Sequence, residues 1–193
     1  MIDTVGPTSA TLGHTSGAAV TTTDTDDRSQ VVVDRVDAGD LRRMIARIPA
    51  PVTIVAAYSE HGPVGFTASS FVNISVDPPL VGFFVAESAR SFEHFERVDR
   101  VAINVLADHQ SELASVFAGK SEDKFAGIEL DPTIPTAPVV TEAMGAIVGS
   151  VHGRGMVGDH LMVTVQVDSV VRRSHAPLVY QDRTFRVLTD LLS

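Results

Sequence analysis

Between positions 67 and 75 four hydroxyl side chains, Thr67, Ser69, Ser70 and Ser75, share a short stretch with small neighbours such as Ala68. Hydroxyls donate and accept, and small side chains let a flat polar ligand approach the backbone, so this stretch can form a binding wall. A second polar group is Ser88-Ala89-Arg90-Ser91. A guanidinium beside hydroxyls and the backbone amides of a helix start has the chemistry of a phosphate site. A third candidate is His160, directly after Gly158-Asp159 at the mouth of a strand. Its imidazole can donate and accept near neutral pH. Each pattern also has an ordinary reading: the solvent face of a sheet, an exposed capped helix and a solvent-facing turn.

Several other chemistries are removed by what the chain contains. There are no cysteines, which excludes disulfides, thiolate nucleophiles, iron–sulfur clusters and cysteine zinc sites. No serine sits in a G-x-S-x-G elbow, and no P-loop pattern occurs. The seven histidines are spread singly, and only His152 and His160 could meet across a hairpin, so no metal site is expected. Gly153-Arg154-Gly155-Met156-Val157-Gly158 matches the dinucleotide-binding pattern literally. The β-branched, alternating Leu161 to Val167 follows it in place of a helix, so the glycines read as a hairpin loop. A net charge of -9 and a pI near 5.1 argue against nucleic acid and anionic membranes as partners. No apolar run approaches a membrane span and no leader pattern opens the chain, which reads as soluble and cytoplasmic.

The polar residues must be positioned by a mostly β chain. At 193 residues, 44% of them hydrophobic, the chain suits one domain. Residues 1–34, rich in Thr, Ser, Gly and Asp without sustained period, read as a disordered tail, and residues 35–193 as the domain. Leu41, Met44, Ile45 and Ile48 recur at helical spacing between about Asp37 and Arg47, closed by Pro49 and Pro51. Val52 to Tyr58 is a strand whose short turn demands antiparallel pairing with Val64 to Phe71. The hydroxyl stretch reads as strand, connection and strand, ending in Leu80 to Val85. Short helices follow over Phe92 to Val98 and Gln110 to Ala118, with a strand Val101 to Leu106 between them. Pro132, Pro135 and Pro138 give irregular extended chain. Strands are then predicted over Ala143 to Val151, Leu161 to Val171, Leu178 to Gln181 and Thr184 to Leu188. Many strands with short turns predict a closed antiparallel barrel, which removes free edges.

Taken in order, several blocks resemble the flavin reductase family, whose short-chain members serve two-component monooxygenases. They are Gly65-Phe66-Thr67-Ala68-Ser69-Ser70-Phe71, Ser75-Val76-Asp77-Pro78-Pro79-Leu80-Val81, Ser88-Ala89-Arg90-Ser91, Asn104-Val105-Leu106, Phe117-Ala118-Gly119-Lys120, Lys124-Phe125-Ala126-Gly127 and Gly158-Asp159-His160. The resemblance spans about Leu41 to Leu188 and departs at Pro49-Ala50-Pro51-Val52, where the family usually carries Pro-x-Gly-Val.

That resemblance implies a mainly β fold, a closed antiparallel split β-barrel of the FMN-binding type with a few short flanking helices. It implies a homodimer that binds FMN or FAD near the subunit interface and reduces it with NADH or NADPH for a separate monooxygenase. Thr67, Ala68, Ser69 and Ser70 would line the ring, Asn73 and Ser75 the ribityl chain or ring edge, and Ser88, Ala89, Arg90 and Ser91 the phosphate. Lys120 and Lys124 are further phosphate candidates, and His160 would face the open side of the ring, where nicotinamide stacks. The alternatives are a flavin carrier or sensor without turnover, and a flavoenzyme that keeps FMN and acts on its own substrate. A hydride passed directly between two cofactors requires no protein nucleophile, in keeping with the lack of one here.

Overall fold

The computed structural model describes residues 36–121 and 123–188. The tail expected over 1–34 lies outside the described residues, and every element below belongs to the unit Asp37–Ser193. Helix α1 (Ala38–Ala46) leads into β1 (Ala50–Pro51), β2 (Thr53–Ser59), β3 (Gly62–Ala68), β4 (Val72–Val76) and β5 (Pro79–Ala86). Helix α2 (Phe92–Phe95), β6 (Arg100–Val105) and helix α3 (Ser111–Ala118) follow, then β7 (Gly145–Val157), β8 (His160–Arg172), β9 (Leu178–Gln181) and β10 (Thr184–Val187).

The strands form a seven-stranded sheet in the order β3-β2-β6-β7-β8-β5-β4 and a three-stranded sheet β1-β9-β10. All their pairings are antiparallel. The closed ladder predicted from the sequence is not observed, because β3 and β4 are both edges. They are consecutive in the chain, however, joined only by Ser69, Ser70 and Phe71. Three residues span about 10 Å, so the large sheet must roll until its two edges approach. Ser70 fastens that roll: its Oγ accepts from the Phe84 amide at 3.1 Å and donates to the Phe84 carbonyl at 3.2 Å.

The dense β-branched run of β2 has two buried faces. Val55 and Ala57 pack with Phe83, Phe95, Ile103 and Val163, whereas Ile54 and Ala56 pack with Leu106, Ala114 and Phe117. A strand covered on both sides has no reason to alternate polar with apolar. Phe66, Phe83 and Phe95 meet as tilted and edge-to-face rings with centroids 5.1 to 6.2 Å apart, the geometry aromatic quadrupoles favour. Asn104 is fully buried and fully satisfied: Nδ2 donates to the Ile54 and Pro138 carbonyls at 3.1 Å, and Oδ1 accepts from the Val140 amide at 2.8 Å. It ties the irregular proline-rich segment to the sheet.

Three local expectations change. Gly153 and Gly155 lie within β7, and only Gly158, at φ +62, belongs to the two-residue turn into β8. Arg154 of the same glycine motif donates to the Phe95 carbonyl at 2.8 Å and to the Val98 carbonyl, so the motif anchors the end of α2. His152 and His160 do not meet, since His160 pairs with Val157, five residues beyond His152 and about 17 Å along the strand. Asn73 and Ser75 sit in the edge strand β4, opposite Val81 and Leu80, and not in a connection. Helix α1 forms as predicted, capped by Asp37 accepting from the Gly39 amide, yet Leu41, Met44, Ile45 and Ile48 are exposed. Among the described residues no helix is long and apolar enough to cross a membrane.

Candidate functional site

The hydroxyl wall is built where β3 ends against α3. Gly65 allows that approach, because a Cβ there would lie 3.0 Å from the Val55 carbonyl and 3.1 Å from the Phe117 ring. Thr67 Oγ1 donates to the Ala114 carbonyl at 2.7 Å, and Thr53 Oγ1 donates to the Ala68 carbonyl at 2.8 Å, which fixes strand and helix in register. Thr67, Ala68 and Ser69 then line a cavity of about 440 Å³ together with Tyr180, Arg183 and Phe185. Ser70 is adjacent but spends its hydroxyl on the Phe84 backbone, so it shapes the wall and leaves contact to its neighbours.

Arg183 and its two aromatic companions come from β9 and β10, and the sequence reading missed them. Tyr180 and Phe185 face each other across the hairpin with ring centroids 5.3 Å apart. The turn between them holds Asp182 at φ 50 and Arg183 at φ 59. Turns of this hand usually carry Asn-Gly or Asp-Gly, so Arg183 occupies a position that is strained for its side chain. That violation of turn chemistry, Asp182-Arg183 between two short apolar strands, is the signal that could have drawn attention to it.

A second cavity of about 320 Å³ lies farther along β3, lined by Pro63, Val64 and Gly65 and by Arg90, Ser91 and Lys124. Arg90 Nη1 donates to the Lys120 carbonyl at 2.7 Å, and Lys124 Nζ donates to the Phe117 carbonyl at 2.7 Å. Both cations therefore gather at the C-terminal end of α3, where carbonyls lack helical partners. Burial first, and the neighbouring Arg90 charge second, hold the Lys124 ammonium pKa below the usual lysine value. Among the described residues neither cation joins an ion pair. Two like charges brought together are suited to an anion. Lys120 contributes its carbonyl to this arrangement, and its side chain is exposed.

His160 opens β8 and pairs with Ala86 at the end of β5. The Glu87 amide donates to the Asp159 carbonyl at 3.0 Å, so the turn bearing His160 and the junction bearing Ser88 and Ala89 sit together. His160 Nδ1 lies 2.7 Å from Asp159 Oδ1, and this hydrogen bond is the main reason the Asp159 carboxyl is held below the usual range. A carboxylate can only accept, so Nδ1 is the donor in this contact and Nε2 is not engaged by it. Phe84, which holds Ser70, is two residues from Ala86, so His160 is offset about 7 Å along the strand direction from Ser70 and lies on the far side of β5. The structure thus brings Arg90 and Ser91 to Lys124, whereas His160 lies across β5 from Ser70 and lines neither cavity. Asn73 and Ser75, on the opposite edge strand, line neither cavity.

Comparison with known proteins gives this geometry its context. Residues 45–189 match the flavin reductase like domain. The chain belongs to the flavin reductase family. Within this family it is 43% identical over 154 residues to an actinorhodin polyketide dimerase of Streptomyces coelicolor, covering 79% of this chain and 87% of that protein. It is 36% identical over 160 residues to an NADH:FMN oxidoreductase of Rhodococcus qingshengii, covering 80% and 83% of the two chains. The structure of a Streptomyces globisporus NADH:FAD oxidoreductase, solved with NAD and FAD fragments, superposes with a TM-score of 0.77 at 27% identity. That superposition covers 85% of this chain and 100% of the other. The flavin reductase fold is therefore shared, with mainly β architecture and few helices.

Proposed function

We propose that this chain is an NAD(P)H:flavin oxidoreductase that reduces FMN or FAD and releases the reduced flavin to a separate flavin-dependent monooxygenase. The observation that carries this reading is the cavity where Arg90 and Lys124, each held on a main-chain carbonyl and in no ion pair among the described residues, meet beside the edge strand that also bears the hydroxyl wall of Thr67 to Ser69. Arg90, Lys124, Ser88 and Ser91 bind the flavin phosphate, with the Ala89 backbone and Lys120 beside them. Thr67, Ala68 and Ser69 line the ring, Ser70 holds their loop, and Asn73 and Ser75 meet the ligand from the facing edge. The bound flavin supplies acceptance of a hydride from nicotinamide. What the protein adds is orientation, the stacking of two flat rings at contact distance. His160, held by Asp159, presents Nε2 to the carboxamide of the incoming nicotinamide and fixes its facing.

The same reading includes a split-barrel homodimer, in which the roll of the large sheet closes and the exposed Leu41, Met44, Ile45 and Ile48 of α1 are covered. It also includes a tail over residues 1–34 distinct from a domain over 35–193, and a cytoplasmic location, where pyridine nucleotides are at hand. The test is to mix the purified chain with NADH or NADPH and with FMN or FAD under anaerobic conditions. Bleaching of flavin absorbance in step with nicotinamide oxidation is the expected result. Absence of turnover in all four combinations overturns the reading, and a molar mass of one chain by light scattering removes the homodimer.

A further inference from the structure

Three cavities lie in order along β3. The first is the hydroxyl-lined one at Thr67 to Ser69, and the second is the cationic one at Pro63 to Gly65. The third, of about 530 Å³, is formed where β2 turns into β3, by Tyr58, Glu60, Glu93, His94, Arg97 and Asp99 among others. Second and third share His94 as a wall, and Tyr58 is the ladder partner of Pro63, so the spaces adjoin. From Ser69 to Gly62 the strand runs about 24 Å, the scale of an extended dinucleotide and well beyond a mononucleotide.

The chemistry of the third cavity differs from that of the second. It has three carboxylates against one guanidinium, with the imidazoles of His61 and His94 beside them, and among the described residues neither the carboxylates nor the guanidinium forms an ion pair. Such a lining repels a further phosphate and welcomes a neutral group rich in donors. Tyr58 adds an aromatic face that is 44% exposed, a platform on which a base can stack. Along β3 the order is therefore hydroxyls, then cations, then acids with an aromatic ring. Flavin ring, phosphates and adenosine occur in that order in FAD.

We propose that the cavity of Tyr58, Glu93 and Asp99 binds the adenosine half of FAD, making FAD the preferred flavin of this chain. The adenine stacks on Tyr58, and the carboxylates accept from the ribose hydroxyls and the exocyclic amine. This rests on the reading that the Arg90 and Lys124 cavity takes the flavin phosphate. It is tested by titrating the full chain with riboflavin, FMN and FAD and following flavin fluorescence, for the native chain and for Tyr58→Ala and Glu93→Ala. FAD should bind at least about tenfold more tightly than FMN, the scale of one stacked base, and both variants should bring that ratio toward one. If FMN and FAD bind equally, or FMN more tightly, while both exceed riboflavin, the adenosine site is overturned and the phosphate reading stands. A preference for FAD that survives both variants also overturns it. Riboflavin bound as tightly as FMN removes the phosphate reading instead, whatever FAD does.

Discussion

Replacing Arg90 by alanine separates charge recognition from ring recognition. Its guanidinium uses one N–H on the Lys120 carbonyl at 2.7 Å and leaves other donors for an anion. A charge-assisted hydrogen bond contributes about 1.5–3 kcal/mol. Because the side chain is exposed, solvent and salt screening favour the lower end, so a loss of about 1.5–2 kcal/mol, or roughly 10- to 30-fold in FMN dissociation constant, is expected. Riboflavin has no phosphate, and its affinity should move less than about twofold on this account. Arg90 also depresses the pKa of Lys124. In the native chain FMN affinity should therefore decline on the alkaline side at a pH below that of an ordinary lysine. In Arg90→Ala, with one of the two causes removed, that decline should move to higher pH. Fluorescence titration with both flavins between pH 7 and about pH 10.4 reads all three quantities. Equal weakening of FMN and riboflavin, or an alkaline limb that stays in place, would refute the assignment.

Two further outcomes concern stability. Asn104→Leu removes three hydrogen bonds and leaves the Val140 amide without its acceptor, so it should destabilise by about 2–4 kcal/mol and lower the melting temperature by several degrees; an unchanged thermal transition would show that the proline-rich segment needs no such tie. Asp131 accepts from the Thr133 amide, the Thr133 hydroxyl and Arg173, and the Thr133 bonds foremost hold its carboxyl below the usual value. A depressed folded-state value means stability that is present above the unfolded value of about 3.9 and lost as pH falls through the folded one. Asp131→Asn should lower the melting temperature at pH 7, and the gap from the native chain should close under acid; a gap constant with pH would contradict this.

What could be read in advance followed how local each signal was. The run Val52 to Tyr58 and the brief turn after it dictate an antiparallel pair, and the hydroxyls of Thr67 to Ser70 stand out by composition alone. The false dinucleotide motif could be set aside because the residues after it alternate. What stayed hidden depends on partners distant in the chain. β1 pairs Ala50 with Tyr180, a contact that no local pattern announces, and with it come Arg183 and the aromatic side of the first cavity. Ser70 looked like a ligand contact, and its commitment to Phe84 is visible only once the sheet is rolled. Asn73 and Ser75 join the other polar residues only through the family resemblance, and no local pattern announces that their strand forms the other edge of the large sheet.

An edge strand carries a row of amide and carbonyl groups ready to pair with another chain, which is why proteins ordinarily blunt or cover their edges. Here β3 cannot be blunted by charge or proline over its last residues without filling the space beside Thr67, Ala68 and Ser69. A row of groups left open for the proposed ligand is also an association hazard. On the proposed seating of flavin, ligand supply and colloidal behaviour become one property: flavin lies along that edge when bound, and its removal presents the edge to neighbouring chains.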